Sequence, residues 1–289
     1  MVEDPFVTHR SLLFTVAYEM LGSAADAEDV LQEAWLRWDD VDQSQVREPR
    51  AYLVRVVTRQ ALNHMRRLSR RREEYVGEWL PEPLLTSPDI AEDVELADGV
   101  SMAMLTVLET LGPTERAVFV LREVFDVPYD EIADAVEKSA ATVRQIARRA
   151  RDHVAARRPR IRVSQAEQQA VVERFLVAMR TGQVQELMEV LAPDVVLIAD
   201  GGGLARAIQA PIHGAAAVAK LLARADRAAV TLATSPVWLN GAPGVRVEFD
   251  GELGAAVSLV MDEGRVTRVY IMRNPHKLGH LDEPAQLAR

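Results

Sequence analysis

A chain of 289 residues with 48% hydrophobic and 27% charged side chains has an ordinary globular composition, and its length suggests about two domains. It contains no cysteine, which excludes disulfides, a thiol nucleophile and cysteine-ligated zinc or iron–sulfur centres, and no window approaches the ~20 apolar residues of a membrane span. The net charge of −9 points away from nucleic acid, so the order of the charges along the chain matters more than their sum. The opening residues MVEDPFVTHR lack a signal-peptide charge pattern, so a cytoplasmic location is expected.

The charges are segregated. Residues 1–48 hold 11 acids and 3 bases, and Pro49–Arg72 then hold eight arginines and no acid. Residues 73–115 hold 11 acids and no base, and residues 138–162 return to +8 with only Asp152 opposing. Clustered arginines neutralise phosphates and release counterions, so each basic block is a candidate nucleic-acid contact.

Apolar periodicity predicts three helices over 5–21, 26–39 and 48–72. Val30, Leu31, Ala34, Trp35 and Trp38 supply the buried side of the second, leaving Asp29, Gln32 and Glu33 at i, i+3 and i+4 as one acidic patch. In the third, Arg55, Arg59, Asn63, Arg66 and Arg70 form a polar stripe opposite Leu53, Val56, Val57, Ala61 and Leu62. These residues resemble region 2 of bacterial sigma factors of the extracytoplasmic-function group. By that resemblance, Asp29, Gln32 and Glu33 meet the coiled coil of the RNA polymerase beta-prime subunit. Arg55, Arg59, Asn63, Arg66 and Arg67 face the −10 promoter element, and Tyr52 either stacks on an unpaired base or packs as an ordinary core aromatic.

The acidic segment 73–98 contains Pro81, Pro83 and Pro88, which interrupt helices, yet Trp79, Leu80, Leu84 and Leu85 need somewhere to dock. Its WLPEPL resembles a motif of the sigma subgroup that carries an extra C-terminal domain. Docking onto that domain and lying in polymerase both remain open.

Met102, Leu105, Leu108 and Leu111 predict a helix stopped by Gly112, and Ala117, Val120, Leu121 and Val124 form the core face of the next. YDEIADAV, a tight turn and ATVRQIARRARDHV then read as helix-turn-helix, with Ser139 as N-cap. Arg144, Gln145, Arg148, Arg149 and Arg151 are left exposed as a recognition surface for the major groove. The stretch resembles sigma region 4 over some forty residues, which implies −35 recognition by Ser139, Thr142, Arg144, Gln145, Arg148 and Arg149. Glu137 stands where that pattern commonly has glycine, and a left-handed turn there costs about 1 kcal/mol.

Beyond residue 163, Ala170, Phe175, Met179, Leu187 and Leu191 mark two helices, residues 194–199 a strand, and GAAAVAKLLARA a third helix. AAVTLATSPVWL, GVRVEFDG, GAAVSLVMD and GRVTRVYIM alternate as strands, with turns at Asn240-Gly241 and 262–264. Helices followed by a curved sheet resemble the SnoaL-like cone of small cyclases and ketosteroid isomerases. Asp200, Gly201, Gly202 and Gly203, together with Asn274, Pro275 and Lys277, look like motifs of the SnoaL-fused sigma subgroup, where a lysine commonly stands at the position of Leu204. Asp200, His213, Glu248 and Asp250 are candidates to line the cone as acid–base groups, but no spacing fixes a catalytic pair and no enzymatic activity is expected.

The resulting expectation is a multidomain chain. It has a region 2 helical domain at 1–75, a linker at 76–98, a region 4 helix-turn-helix domain at 99–160 and an α+β SnoaL-like cone at 163–289. The resemblance implies promoter-specific initiation with core RNA polymerase, through its beta-prime and beta subunits, and promoter DNA as partners. It also implies regulation by the cone through Trp79, Leu80, Pro81 and the two C-terminal motifs, without a separate anti-sigma protein, membrane or cofactor. The alternative is a helix-turn-helix regulator whose cone senses a small molecule or acts as a cyclase.

Overall fold

The computed structural model describes residues 4–72, 75–158, 164–224 and 231–289, and the side chains of all of these except 69–72. The expected contributions of Arg70, Arg71, Arg72, Arg160 and Arg162 to the basic blocks lie outside the described side chains, as does the start of the predicted strand at 228–230.

Three helices, α1 (Pro5–Leu21), α2 (Ala24–Asp39) and α3 (Pro49–Arg72), form the first domain. Asp4 and Ser23 cap α1 and α2 by accepting from Phe6 N and Asp26 N, so α2 starts two residues before its predicted position. Trp35, expected inside, is 37% exposed and meets Phe6 edge-on at 5.1 Å. Its stripe position is taken over by Trp38, which is 1% exposed and donates its indole N–H to Asp4.

The helix predicted from Met102 is α5 (Met102–Leu108), which ends a few residues before Gly112 and is capped by Ser101 through Met104 N; a further short helix, α4 (Val94–Val100), precedes it across that cap. Helix α6 (Pro113–Phe119) runs into one π turn over Val120–Val124. Then α7 (Tyr129–Val136) and α8 (Ala140–Arg157) form the helix-turn-helix. Glu137 at their turn sits at φ 56°, ψ 48°, the left-handed conformation that glycine would adopt without strain. Ser139 caps α8 by accepting from Thr142 N at 3.2 Å.

The C-terminal domain places α9 (Gln165–Thr181), α10 (Val184–Val190) and α11 (Ala215–Leu222) against a six-stranded sheet. The strands are β1 (Leu191–Asp200), β2 (Ile212–His213), β3 (Leu232–Leu239), β4 (Ala242–Phe249), β5 (Glu252–Asp262) and β6 (Arg265–Met272), in the order β2-β1-β6-β5-β4-β3. Among the described strands only the β1–β6 pair is parallel. Register shifts within β1–β6, β4–β5 and β5–β6 bend the sheet into a cone. Two expectations fail here: Ala170 is exposed on α9, and Leu191 opens β1 instead of ending a helix.

The centre of the sheet is buried on both faces. Successive strand residues point to opposite sides. Ala255, Val257, Leu259 and Val269 therefore face the domain's own helices, while Ala256, Val260, Tyr270 and Met272 belong to the core of the two helical domains. That arrangement accounts for the near-continuous apolar run of β5, which a sheet wetted on one face would not need. Helix α3 also packs against α6 and α7, so all three domains meet one another.

Candidate functional site

Asp29, Gln32 and Glu33 are exposed together on α2, as the spacing required. Beside them the structure adds two exposed apolar side chains that were not predicted, Trp35 and Leu36, the latter 59% exposed. A patch that is half acid and half apolar suits protein contact better than acid alone.

The arginine stripe of α3 divides in two. Asn63, Arg66 and Arg67 are exposed, but the earlier residues face α7. Arg59 donates to the Asp134 carbonyl at 2.8 Å and lies 3.7 Å from Glu137, and Tyr52 and Arg55 line a crevice with Glu131 and Asp134. Tyr52 is half-buried, with its ring 5.7 Å from Trp38 and Arg55 above it, so in this arrangement it packs. On α8, Thr142, Arg144, Gln145, Arg148 and Arg149 are all exposed, with Ser139 spent on the cap, while Val143, Ile146, Ala147 and Ala150 are buried beneath them.

The segment 75–86 lies between the helical domains and the cone, and Asp200 holds it. This carboxylate is fully buried at the end of β1 and accepts from Tyr75 Oη at 2.6 Å, Leu80 N at 3.0 Å, Gly202 N at 3.0 Å and Lys277 Nζ at 2.7 Å. Lys277 in turn donates to the Leu80 carbonyl at 2.5 Å and sits over the Trp79 ring at 3.9 Å. The linker peptide at Leu80 is thus gripped on both its N–H and its C=O. Asn274 closes the group by donating to Tyr75 Oη at 2.9 Å, and burial with the Asp200 bond pushes the Tyr75 phenol well above its ordinary pKa.

The glycines of the motif are set by approach distance. A Cβ on Gly202 (φ +58°) would lie 2.3 Å from Asn274 Nδ2, and one on Gly203 (φ +72°) 3.2 Å from Val76. Leu204, the departure from the subgroup's lysine, is 60% exposed. Pro275 is exposed and opens the short turn that presents Lys277. Pro81 is buried.

Several residues of this interface, Tyr75 among them, were not foreseen. Glu82, 1% exposed, accepts from Ala24 N and Ser23 Oγ at the start of α2, where a carboxylate complements the helix dipole, and it pairs with His280 at 2.6 Å. Asn240, in the β3–β4 turn at φ 54°, donates to Tyr18 Oη at 2.7 Å and to the Val100 carbonyl, and accepts from Leu84 N. Tyr18 donates to the Glu82 carbonyl at 2.6 Å.

Of the four candidate acid–base groups, none lies in the cone interior. Asp200 belongs to the linker grip, His213 is exposed on the edge strand β2, Glu248 pairs with Arg246 at 3.0 Å, and Asp250 accepts from Thr231 N in the β4–β5 turn. The alternation of the strands sends the first three of these side chains elsewhere. No helix among the described residues is long and apolar enough to cross a membrane.

Comparison with known proteins matches this geometry over nearly the whole chain. The sigma-70 region 2 family covers residues 6–71 and the sigma-70 region 4 family covers residues 101–154. The chain is 34% identical to the ECF RNA polymerase sigma factor SigJ of Mycobacterium tuberculosis, over 96% of this chain and 93% of that protein. It is 32% identical to the probable ECF RNA polymerase sigma factor SigI of the same species, over 94% and 93% of the two chains. The crystal structure of the M. tuberculosis SigJ superposes with a TM-score of 0.77 at 32% identity, covering 96% of this chain and 98% of that one. A relationship that runs through the C-terminal cone as well as both helical regions places the protein: the chain belongs to the extracytoplasmic-function sigma factors of RNA polymerase.

Proposed function

We propose that the protein directs initiation at specific promoters while its own cone domain restrains the two helical domains. Asp29, Gln32 and Glu33, with Trp35 and Leu36 beside them, bind the beta-prime coiled coil of core polymerase. Asn63, Arg66 and Arg67, joined by Arg55, Arg59 and Tyr52 once α3 leaves α7, engage the −10 element. Thr142, Arg144, Gln145, Arg148 and Arg149 read the −35 element, arginine pairing with guanine and glutamine with adenine. The protein works in the cytoplasm as a regulator without enzymatic activity of its own.

The observation that carries the regulatory reading is the grip of Asp200 and Lys277 on the two polar atoms of Leu80. The linker so held is the segment whose freedom sets the distance between the −10 and −35 binding domains. While it is held, Arg59 stays bonded to α7 and half of the α3 stripe faces protein. A restraint inside the chain takes the part that a separate anti-sigma protein would otherwise play. Run-off transcription with core polymerase on a promoter library tests the sigma reading. Sequence-specific initiation dependent on the protein supports it, and promoter binding without any initiation would favour a free-standing regulator.

A further inference from the structure

The concave side of the cone encloses a cavity of about 590 Å³, within the range of roughly 300–1,000 Å³ usual for small-molecule sites. Its wall is apolar, built by Phe175, Met179, Leu197, Val247, Ala255 and Ile271 among others. The exceptions are Thr234 and three arginines, Arg206, Arg224 and Arg273, and the described lining holds no aspartate, glutamate or histidine.

Arg273 is the most constrained of these. It donates to the Arg206 carbonyl at 2.6 Å and lies over the Phe249 ring at 4.9 Å, two partners that carry no charge. Its Nε, and Thr234 Oγ1, are buried without a hydrogen-bond partner among the described residues. Burial and the neighbouring Arg206 guanidinium push its pKa below the ordinary arginine value. A half-buried guanidinium beside a second cation and an apolar chamber has no anion to meet among the described lining residues.

We propose that the cone binds an organic anion with a long apolar body, of the fatty-carboxylate class, its head on Arg273 and Arg206 and its tail in the chamber, and that occupancy loosens the grip on the linker. The coupling follows from adjacency. Arg273 N and Asn274 N both donate to the Asp200 carbonyl, at 2.7 and 3.0 Å. The segment between Asp200 and Arg206 is tied back to Arg273 by the Arg206 carbonyl. A carboxylate that draws Arg273 away from that carbonyl releases the segment carrying Asp200, while Asn274 and Lys277 on the other side follow Arg273. By linkage, a freed linker must raise the affinity for the anion by the same factor. The second half of this inference rests on the restraint proposed above; the first does not.

Calorimetry on the full chain with dodecanoate, dodecanol and dodecyltrimethylammonium tests the site. Dodecanoate should bind with one-to-one stoichiometry and at least about tenfold more tightly than the other two. Arg273→Met should reduce it to the level of the alcohol, and Arg206→Met, at an exposed side chain that meets Arg273 through its backbone carbonyl, provides a second variant that keeps that bond. Equal affinity for alcohol and carboxylate, many-fold stoichiometry, or indifference to both substitutions would overturn the site. Hydrogen exchange over residues 79–84 tests the coupling: saturating dodecanoate should speed exchange at the Leu80 amide, and unchanged exchange in a chain that binds dodecanoate would overturn it. Neither result depends on transcription, so the restraint stands or falls separately on the clasp variants.

Discussion

Asp200 and Lys277 pair directly at 2.7 Å and together hold Leu80, the carboxylate accepting from its N–H and the ammonium donating to its C=O. Both charges are buried, and each is compensated chiefly by the other and by the linker. Buried ion pairs contribute little net stability, because desolvation offsets their attraction, but removing one partner leaves the other charge stranded.

Asp200→Ala should therefore cost about 3–5 kcal/mol in denaturant unfolding. Lys277→Met should cost less, because Tyr75, Leu80 and Gly202 still donate to the remaining carboxylate. The reverse order of midpoints would show that the ammonium, not the carboxylate, organises the site.

Asn240 satisfies three buried polar groups from three segments, Tyr18, Leu84 and Val100. Asn240→Ala should destabilise the chain by roughly 3 kcal/mol, a loss of about 1 kcal/mol per bond with added strain at positive φ. Asn240→Gly removes the strain alone and should recover only a fraction of it in urea titrations.

Glu19 on α1 is fully buried, and its carboxyl oxygens have no hydrogen-bond partner among the described residues. Burial raises its pKa to about 8, with Arg116 of α6 opposing and Asp98 of α4 adding to the rise. Arg116 itself is paired with Glu109 and donates to the Glu19 carbonyl. A folded pKa above the unfolded 4.5 means that the folded chain holds the extra proton between these values. The contribution of Glu19 to stability is then full below about pH 4.5 and falls as pH rises to about 8, by at most ~1.4 kcal/mol per pH unit. Glu19→Gln should flatten that slope, which thermal melts across the range would read.

Asp29→Lys with Glu33→Lys should abolish retention of core polymerase without altering the far-ultraviolet dichroism, both side chains being exposed. Leu36→Ala should weaken the same contact by about 1–2 kcal/mol. Full retention by the double variant would remove this face of α2 from the polymerase interface.

On α8, Arg148→Ala should weaken −35 duplex binding and lower the salt slope by about 1 if the arginine meets a phosphate. Gln145→Ala should instead relax preference at one base position, as a competition series against single-base variants would show.

Much of the fold was legible in periodicity. The amphipathic stripes of α1 to α3 and the α7–α8 pair follow from i, i+3, i+4 spacing, and Val143, Ile146 and Ala150 are buried where that spacing puts them. Trp35 was misread because a wide tryptophan at the edge of a stripe looks like core, whereas Trp38 fills the volume. The linker's need for an apolar dock was visible in Trp79, Leu80 and Leu84, but its choice of dock was not. That choice depends on the second apolar face of β5 and β6, contributed by residues such as Ala256 and Tyr270. Asn240 was hidden because Asn-Gly is itself a sufficient hairpin signal, and nothing in a turn sequence announces long-range bonds. Glu82 was similarly lost among the linker's acids. His213, Glu248 and Asp250 were candidates by residue type alone; strand parity sent the first two away from the cavity, and Asp250 sits in the β4–β5 turn.

The restraint is tested most directly by run-off transcription at limiting protein, comparing the full chain with Asp200→Ala and Lys277→Met at a temperature where circular dichroism shows all three folded. Freed linkers should let α3 leave α7, so both variants should give more transcript per core polymerase than the parent chain. Equal or lower output from both folded variants would contradict the claim that the cone restrains the helical domains through this grip.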